Sequence, residues 1–296
     1  MVTILINEKA GPVQGTEARE KLESLLHQAL PDAEVTYSKP GTDVTAEARR
    51  ALQRGARMVV AGGGDGTLNA IAIAVAGTEI PMGILPLGTL NHFAKDLGIP
   101  LDIEGAVGTL ATGKVTRVDV GDINGSLFLN NSGLGLYPVI VHLRELKQSL
   151  GFAKWPAAIW ATAKALSRYE RLSIRVLVEG QELRRRTPVV FVGNNEYSLE
   201  GVQMPVRSTL DDGRLCVYIP HAQGRFRLIW FSIRALFGGA QPDSEFDAFL
   251  TAECWIETRH RRVRISLDGE VTVLQSPLHF AIRPLALRVM VPSQVS

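Results

Sequence analysis

Three shortages bound this chain before any motif is considered: few cysteines, no long hydrophobic run, and little net charge. Its 296 residues include only two cysteines, Cys216 and Cys254. Their separation fits neither a metal knuckle nor a disulfide framework, so both are expected as small buried residues. No apolar stretch approaches the roughly 18 residues that suggest a membrane-spanning helix. The segment Met1–Asn7 lacks the basic flank and long apolar core of a secretion signal and instead resembles a buried strand. A cytoplasmic protein is expected, with contact at a membrane surface left open. The net charge of +2 does not suggest a dedicated nucleic-acid binder. No aromatic stacking pattern accompanies the basic clusters Arg184–Arg186 and Arg259–Arg264. His27, His142, His221, His260 and His279 share no ligand spacing, which excludes an evident histidine metal centre.

What is present is glycine in one telling place. The run Gly62-Gly63-Gly64-Asp65-Gly66-Thr67-Leu68-Asn69 follows the buried strand pattern Met58–Ala61 and opens into the helical pattern Leu68–Val75. A strand, a glycine turn and a helix start gather backbone N–H groups and a positive dipole end at one spot, suited to phosphate. Glycine is expected there because a Cβ would block both positive φ angles and the close approach of an anion. A carboxylate at Asp65 makes sense beside phosphates when a divalent cation or ordered water lies between them. That combination implies a nucleotide–magnesium complex and phosphoryl transfer. Tight glycine turns also serve as plain connections, but three adjacent glycines followed by Asp-Gly-Thr are more specific than a bare glycine spacing. No lysine follows Gly66, and Asp65 and Thr67 do not suit a dinucleotide fingerprint.

The surrounding pattern alternates. Val2–Ile6, Glu34–Tyr37, Met58–Ala61 and Met82–Leu85 read as strands, and Thr16–Leu30, Val44–Gln53 and the segment after Thr67 as helices. This rhythm predicts a parallel sheet with helices on its faces, whose ligands bind beyond the strand C-terminal ends. After Lys114 the rhythm changes to strands at Val115–Val120, Leu127–Asn130, Leu172–Val178, Val189–Val192, Leu215–Ile219 and Arg262–Leu267. Turn signals separate them, which predicts a mostly antiparallel β-sandwich. Helical segments are expected near Trp155–Tyr169 and Phe226–Phe237. The two domains are expected to pack closely, with a substrate cleft between them.

Three further segments carry candidate chemistry. Gly88-Thr89-Leu90-Asn91 again ends a strand and starts a helix, where Thr89 can cap the helix and face a phosphate. The loop Asn7-Glu8-Lys9-Ala10-Gly11 ends the first strand within reach of the same sheet edge. Asp268-Gly269-Glu270 sets two carboxylates around a turn glycine. Alone it reads as a solvated hairpin turn. Beside the glycine loops it supplies the base that alcohol phosphorylation requires, with Glu270 favoured. The segment Arg225–Arg234 interleaves arginines with aromatics and suits either an anionic bilayer or a core-facing helix with snorkelling cations.

Taken together, Asn7…Gly11, Gly63–Asn69, Gly88-Thr89-Leu90-Asn91…Phe93-Ala94, Asp212-Gly213-Arg214-Leu215 and Asp268-Gly269-Glu270 resemble the diacylglycerol kinase catalytic-domain family, of the soluble bacterial lipid kinase type. The resemblance spans nearly the whole chain. It implies an α/β nucleotide-binding kinase domain over residues 1–115, to which 284–296 return near Leu285–Val291, and a β-sandwich lipid-substrate domain over 116–283. It implies ATP and Mg²⁺ as cofactors, with nucleotide bound by Asn7, Gly11, Ser38, Gly62, Gly63, Gly64, Asp65, Gly66, Thr67, Leu68, Asn69, Gly88 and Thr89. Glu270 matches the proton acceptor, with Asp268 and Asp65 completing the catalytic carboxylates. Asp212, with the carbonyls of Thr209 and Arg214, resembles a structural Mg²⁺ site.

The chain departs from the family pattern twice. Glu8 stands where proline commonly follows the asparagine, and His92 replaces an acid after Gly-Thr-x-Asn. His92 can itself carry a proton at neutral pH, or Asp96 one helical turn on can substitute. The expected activity is therefore ATP-dependent phosphorylation of the hydroxyl of diacylglycerol or a similar lipid, in the cytoplasm or peripherally at the inner membrane face. A kinase of a soluble hydroxyl substrate and a non-catalytic, nucleotide-dependent lipid sensor are the rivals.

Overall fold

The computed structural model describes residues 1–136, 171–198, 206–207, 209–220 and 246–293. They form two compact units, Met1–Val120 with Arg283–Ser296, and Gly121–Ile282. The expected helices Trp155–Tyr169 and Phe226–Phe237, the Arg225–Arg234 segment, His142 and His221 lie outside the described residues.

In the first unit, β1 (Val2–Asn7), β2 (Ala33–Ser38), β3 (Met58–Gly63) and β4 (Met82–Pro86) make a parallel sheet in the order β2-β1-β3-β4. β3 and β4 are buried along their whole length, as central parallel strands must be. Around them run α1 (Thr16–Ala29), α2 (Val44–Gln53), α3 (Asp65–Val75), α4 (His92–Asp96) and α5 (Ile103–Thr112). α2 and α5 start where Asp43 and Asp102 accept hydrogen bonds from Ala46 N–H (3.0 Å) and Gly105 N–H (2.7 Å). Each cap satisfies one of the orphan donors of a first helical turn.

Antiparallel pairing dominates the second unit. After β5 (Lys114–Ile123) come β6 (Ser126–Phe128), β7 (Asn131–Gly135), β8 (Leu172–Val178), β9 (Gln181–Thr187), β10 (Val189–Asn194) and the short β11 (Tyr197–Ser198) and β12 (Val206–Arg207). They are followed by β13 (Leu215–Pro220), β14 (Phe246–Thr251), β15 (Glu253–Thr258), β16 (Arg262–Leu267), β17 (Glu270–Gln275) and β18 (Leu278–Val291). One sheet runs β14-β13-β10-β7-β16-β17, while the first part of β18, β15, β8 and β9 form a second antiparallel layer. The two layers share a core that includes Leu134, Val176, Val192, Val217, Ile256, Ile265 and Phe280. An α/β domain joined to a mostly antiparallel sandwich is the fold class the alternation of patterns predicts.

β18 then leaves this unit. At Leu285 the backbone turns through a positive φ of 50°, its N–H donating to Asp119 Oδ1 at 2.7 Å, and Val289 pairs parallel to Met82. The last strand thus returns to the first unit, and it begins at Leu278 rather than Leu285. Two other boundaries differ from expectation. α3 begins at Asp65, with Leu68 N–H bonding Gly64 O, so Asp65, Gly66 and Thr67 form its first turn. The expected strand Leu127–Asn130 is broken at Leu129 and Asn130, whose N–H groups go to the Asp268 carboxylate instead of a ladder. Among the described residues, no helix is long and apolar enough to cross a membrane.

Candidate functional site

The two glycine turns of the first unit touch each other, backbone to backbone. Gly63 pairs with Pro86 at the C-terminal ends of β3 and β4, so the turns that follow leave the sheet side by side. A Cβ at Gly88 would lie 2.4 Å from Gly64 Cα and 2.8 Å from Asn91 Oδ1. At Gly62 it would lie 2.8 Å from Ile6 Cγ1, and at Gly63 2.5 Å from Thr67 Oγ1. The expected positive φ angles are not what selects glycine here. Gly64 is extended at φ −91°, and close approach alone excludes a side chain.

Side chains then lock the pair. Asp65 Oδ2 and Oδ1 accept from the N–H groups of His92 and Phe93, each at 3.4 Å, so a carboxylate from the first turn meets the start of α4 in the second. Asn91 holds the second turn: Oδ1 accepts from Gly88 N–H (3.0 Å), while Nδ2 donates to Pro86 O (3.1 Å) and Gly88 O (2.8 Å). Asn91, at φ 50°, is the cap residue of α4, a left-handed position that asparagine tolerates. This corrects the capping role expected of Thr89, which is exposed instead. Asn69 Oδ1 on α3 is buried with no hydrogen-bond partner, an unmet acceptor beside the first turn. Leu68 is fully buried core.

The first loop is ordered from within. Asn7 Oδ1 accepts from Lys9 N–H at 3.0 Å, and Ala10 N–H bonds Asn7 O at 2.9 Å. At Gly11 a Cβ would meet nothing within 4 Å, so no internal contact demands glycine there. Ser38 pairs with Asn7 in the β1–β2 register, but its hydroxyl is already donated to Glu47 Oε2 at 2.6 Å. Only its acceptor lone pairs stay available to a ligand.

In the second unit, Asp268 and Gly269 form the two-residue link between β16 and β17, both at positive φ (47° and 91°), as a tight hairpin requires. The hairpin is more than a solvated turn. Asp268 accepts from the N–H groups of Leu129 (2.7 Å), Asn130 (2.7 Å) and Asn131 (3.1 Å). Burial pushes its carboxyl up to about 6, against those three donors and the nearby Arg207 charge. Buried Arg207 binds the other side of the same segment, donating to Leu129 O (2.7 Å) and Asn130 Oδ1 (3.0 Å). Asn194 Nδ2 donates to Leu129 O and Tyr197 Oη to Asn130 O, at 2.8 and 3.0 Å. Glu270, by contrast, is exposed at the first position of β17.

A model of the diacylglycerol kinase catalytic domain matches residues 1–123, and one of the YegS C-terminal NAD kinase beta sandwich-like domain matches residues 144–291. A protein of Pseudomonas savastanoi pv. phaseolicola (strain 1448A / Race 6) named "Probable lipid kinase YegS-like" is 31% identical over 288 residues, 90% of each chain. This chain belongs to the diacylglycerol kinase catalytic-domain family. A second "Probable lipid kinase YegS-like", from Pseudomonas syringae pv. tomato (strain ATCC BAA-871 / DC3000), is 33% identical over 253 residues, 82% of this chain and 78% of that protein. The "Diacylglycerol kinase" of Staphylococcus aureus (strain Newman) is 29% identical over 211 residues, 66% of each. A crystal structure of a diacylglycerol kinase from Bacillus anthracis str. Sterne shares the fold, with a TM-score of 0.72 at 22% identity over 100% of this chain and 98% of that one.

The Asp212 carboxylate and the carbonyls of Thr209 and Arg214 are oxygen donors, the kind a hard cation takes. Thr209 Oγ1 is buried without a partner, and Arg214 O accepts one hydrogen bond, from Asn195 N–H at 2.9 Å, leaving a second lone pair. Among the described residues no group of three or more His, Cys, Asp or Glu side chains could hold a metal ion, so Mg²⁺ at Asp212 would rest chiefly on carbonyl oxygens. Sequence reasoning missed Asn91, Arg207, Asn194 and Tyr197 as organisers of the two loops. Only Asn91 carried a signal, its place in the Gly88–Asn91 motif.

Proposed function

We propose that this chain is an ATP-dependent lipid kinase that phosphorylates the hydroxyl of diacylglycerol or a similar lipid. The observation that carries the reading is the abutment of two glycine turns at Gly64 and Gly88 beyond parallel strands, tied together by Asp65. Adjacent turns of this kind offer a nucleotide's phosphates backbone N–H donors from two loops at once. The family membership and the lipid-kinase names of its relatives point the same way.

In this mechanism the loop N–H groups and the hydroxyls of Thr67 and Thr89 hold the phosphates. Asp65 keeps the two turns in register and presents its charge toward the metal-linked phosphates. Ser38 accepts from the nucleotide, and the Asn7–Gly11 loop closes beside it. Glu270 takes the proton of the lipid hydroxyl as its oxygen attacks the γ-phosphorus, and the bond from that phosphorus to the β–γ bridging oxygen breaks to release ADP. Asp268 acts on Glu270 through the backbone, by fixing the hairpin that starts β17. Bound Mg²⁺ supplies charge neutralisation for the phosphates, and a structural Mg²⁺ would be held by Thr209, Asp212 and Arg214.

The test is transfer of labelled γ-phosphate from ATP to lipids in mixed micelles, with Glu270→Gln beside the wild type. A labelled lipid made by the wild type and lost in the variant is expected. Equal transfer by both removes Glu270 from proton transfer. Label arriving only on soluble alcohols overturns the lipid assignment.

A further inference from the structure

The outer face of the β16–β17 hairpin combines two features that soluble surfaces usually keep apart. Among the described residues β17 is the edge strand of its sheet, and Val271 and Val273 stand 57% and 53% exposed on it. In the pairing register Val273 faces Arg264, Val271 faces Ser266 and Gln275 faces Arg262. The alternate residues Val263 and Ile265 are buried in the core, so Arg262, Arg264 and Val273 point outward, while Ser266 opposite the exposed Val271 is itself buried. Arg259, His260, Arg261 and Arg262 continue the basic surface, all exposed.

These arginines are also unneutralised. Arg175, Arg184 and Arg185 on β8 and β9 each have a carboxylate partner within 3.1 Å. Among the described residues, Arg259, Arg261, Arg262 and Arg264 have none. A chain with a net charge of only +2 thus carries two cations without a carboxylate partner among the described residues, Arg262 and Arg264, opposite β17 on this hairpin, with Arg259 and Arg261 in the segment that leads into it.

We propose that this face docks on an anionic lipid surface. Valines at the headgroup boundary lose contact with water, while the flanking guanidinium groups reach lipid phosphates. A second copy of the chain is a poorer occupant, because pairing two such edges would bring arginine clusters toward one another. Nucleic acid is poorer too, since valine offers no face for base stacking. The proposal deepens the lipid-kinase reading by naming the surface that reaches the membrane, and its test reads binding separately from phosphotransfer.

The experiment is co-sedimentation of the full chain with vesicles of phosphatidylcholine, alone or mixed with phosphatidylglycerol, at low and high salt. Wild type, the pair Arg262→Gln/Arg264→Gln and the pair Val271→Ser/Val273→Ser are compared, with thermal unfolding as the folding control. Binding is expected only to the anionic vesicles. The arginine pair should lower the partition coefficient by at least about tenfold, and the valine pair should lower it without changing its salt dependence. Unchanged binding in both folded variants overturns the proposal, as does equal binding to neutral vesicles. Loss of a dimer in the variants with vesicle binding intact assigns the face to a second copy. Competition by duplex DNA for the wild type alone assigns it to nucleic acid. If the wild type phosphorylates no lipid yet binds vesicles through these residues, the docking face stands and the kinase reading falls.

Discussion

Replacing Gly88 by alanine tests the contact on which the candidate site rests. The new Cβ would sit 2.4 Å from Gly64 Cα and 3.2 Å from Gly64 N. Carbon atoms pack best near 3.5–4.0 Å, so the two turns must separate by roughly 1 Å. Both Gly64 atoms are backbone and cannot rotate away, and the Asn91 side chain, whose Oδ1 would lie 2.8 Å off, would have to shift as well. Such overpacking costs on the order of 1–3 kcal/mol of stability. The functional cost is larger, because misplacing binding groups by about 1 Å is worth up to roughly a hundredfold in rate. Gly108→Ala on α5 is the matched control: nothing lies within 4 Å of its Cβ, and alanine in a helix should gain about 0.5–1 kcal/mol. Both variants would be followed by thermal unfolding and by ATP binding. The expected result is that Gly88→Ala loses ATP affinity beyond its loss of stability, while Gly108→Ala gains stability and binds as before. A Gly88→Ala protein as stable as wild type refutes the geometry. One that is destabilised yet binds ATP normally refutes the assignment of the paired turns to nucleotide.

Asp268 gives a pH signature. Its carboxyl rises from 3.8 to about 6, so the folded chain holds a proton that the unfolded chain has released. The contribution is full below pH 3.8 and is lost as pH rises through 6, by at most about 3 kcal/mol. Chemical denaturation of wild type and Asp268→Asn across that interval should show the wild type's advantage shrinking; a growing advantage contradicts it. Burial also pushes the Cys216 and Cys254 thiols up, to about 11 and about 12. Both should resist alkylation at neutral pH until the chain unfolds, and rapid labelling of either in the native protein would place it outside the core. Glu270→Gln should unfold within about 0.5 kcal/mol of wild type, as an exposed strand-end residue does. A larger shift would make its effect on transfer structural.

Much of the fold was legible because burial writes a period into the sequence. Met58–Ala61 and Met82–Leu85 are continuous apolar runs, and the structure buries both as central parallel strands. β9 was missed because its residues Gln181–Thr187 carry three consecutive arginines: an edge strand with exposed side chains has no apolar period to read. β17 was missed for a related cause, since its outward residues are valines and its alternation is inverted. The glycine turns were legible as a motif, but their mutual contact was not. It depends on β3 and β4 being neighbours in the sheet, a long-range fact that no local pattern carries. Arg207 was invisible for the same reason, since its partners Leu129 and Asn130 lie 78 and 77 residues away.

Two of the three candidate catalytic carboxylates turn out to spend their oxygens on backbone N–H groups. Asp65 bridges to His92 and Phe93, and Asp268 binds Leu129, Asn130 and Asn131. Replacing either would shift a loop before it altered any proton transfer, so lost activity in Asp65→Asn or Asp268→Asn cannot identify a base. Glu270 differs, being exposed where the hairpin ends. Its amide variant keeps shape and hydrogen-bonding reach while removing basicity. A base acts through its ionised form, so a true proton acceptor at Glu270 should leave ATP affinity intact while transfer falls, with the loss in kcat rather than KM. A positioning carboxylate predicts the opposite emphasis, with weaker binding and altered stability. The same three variants, measured for ATP affinity, unfolding and transfer, would therefore separate a residue that moves a proton from one that holds a loop in place.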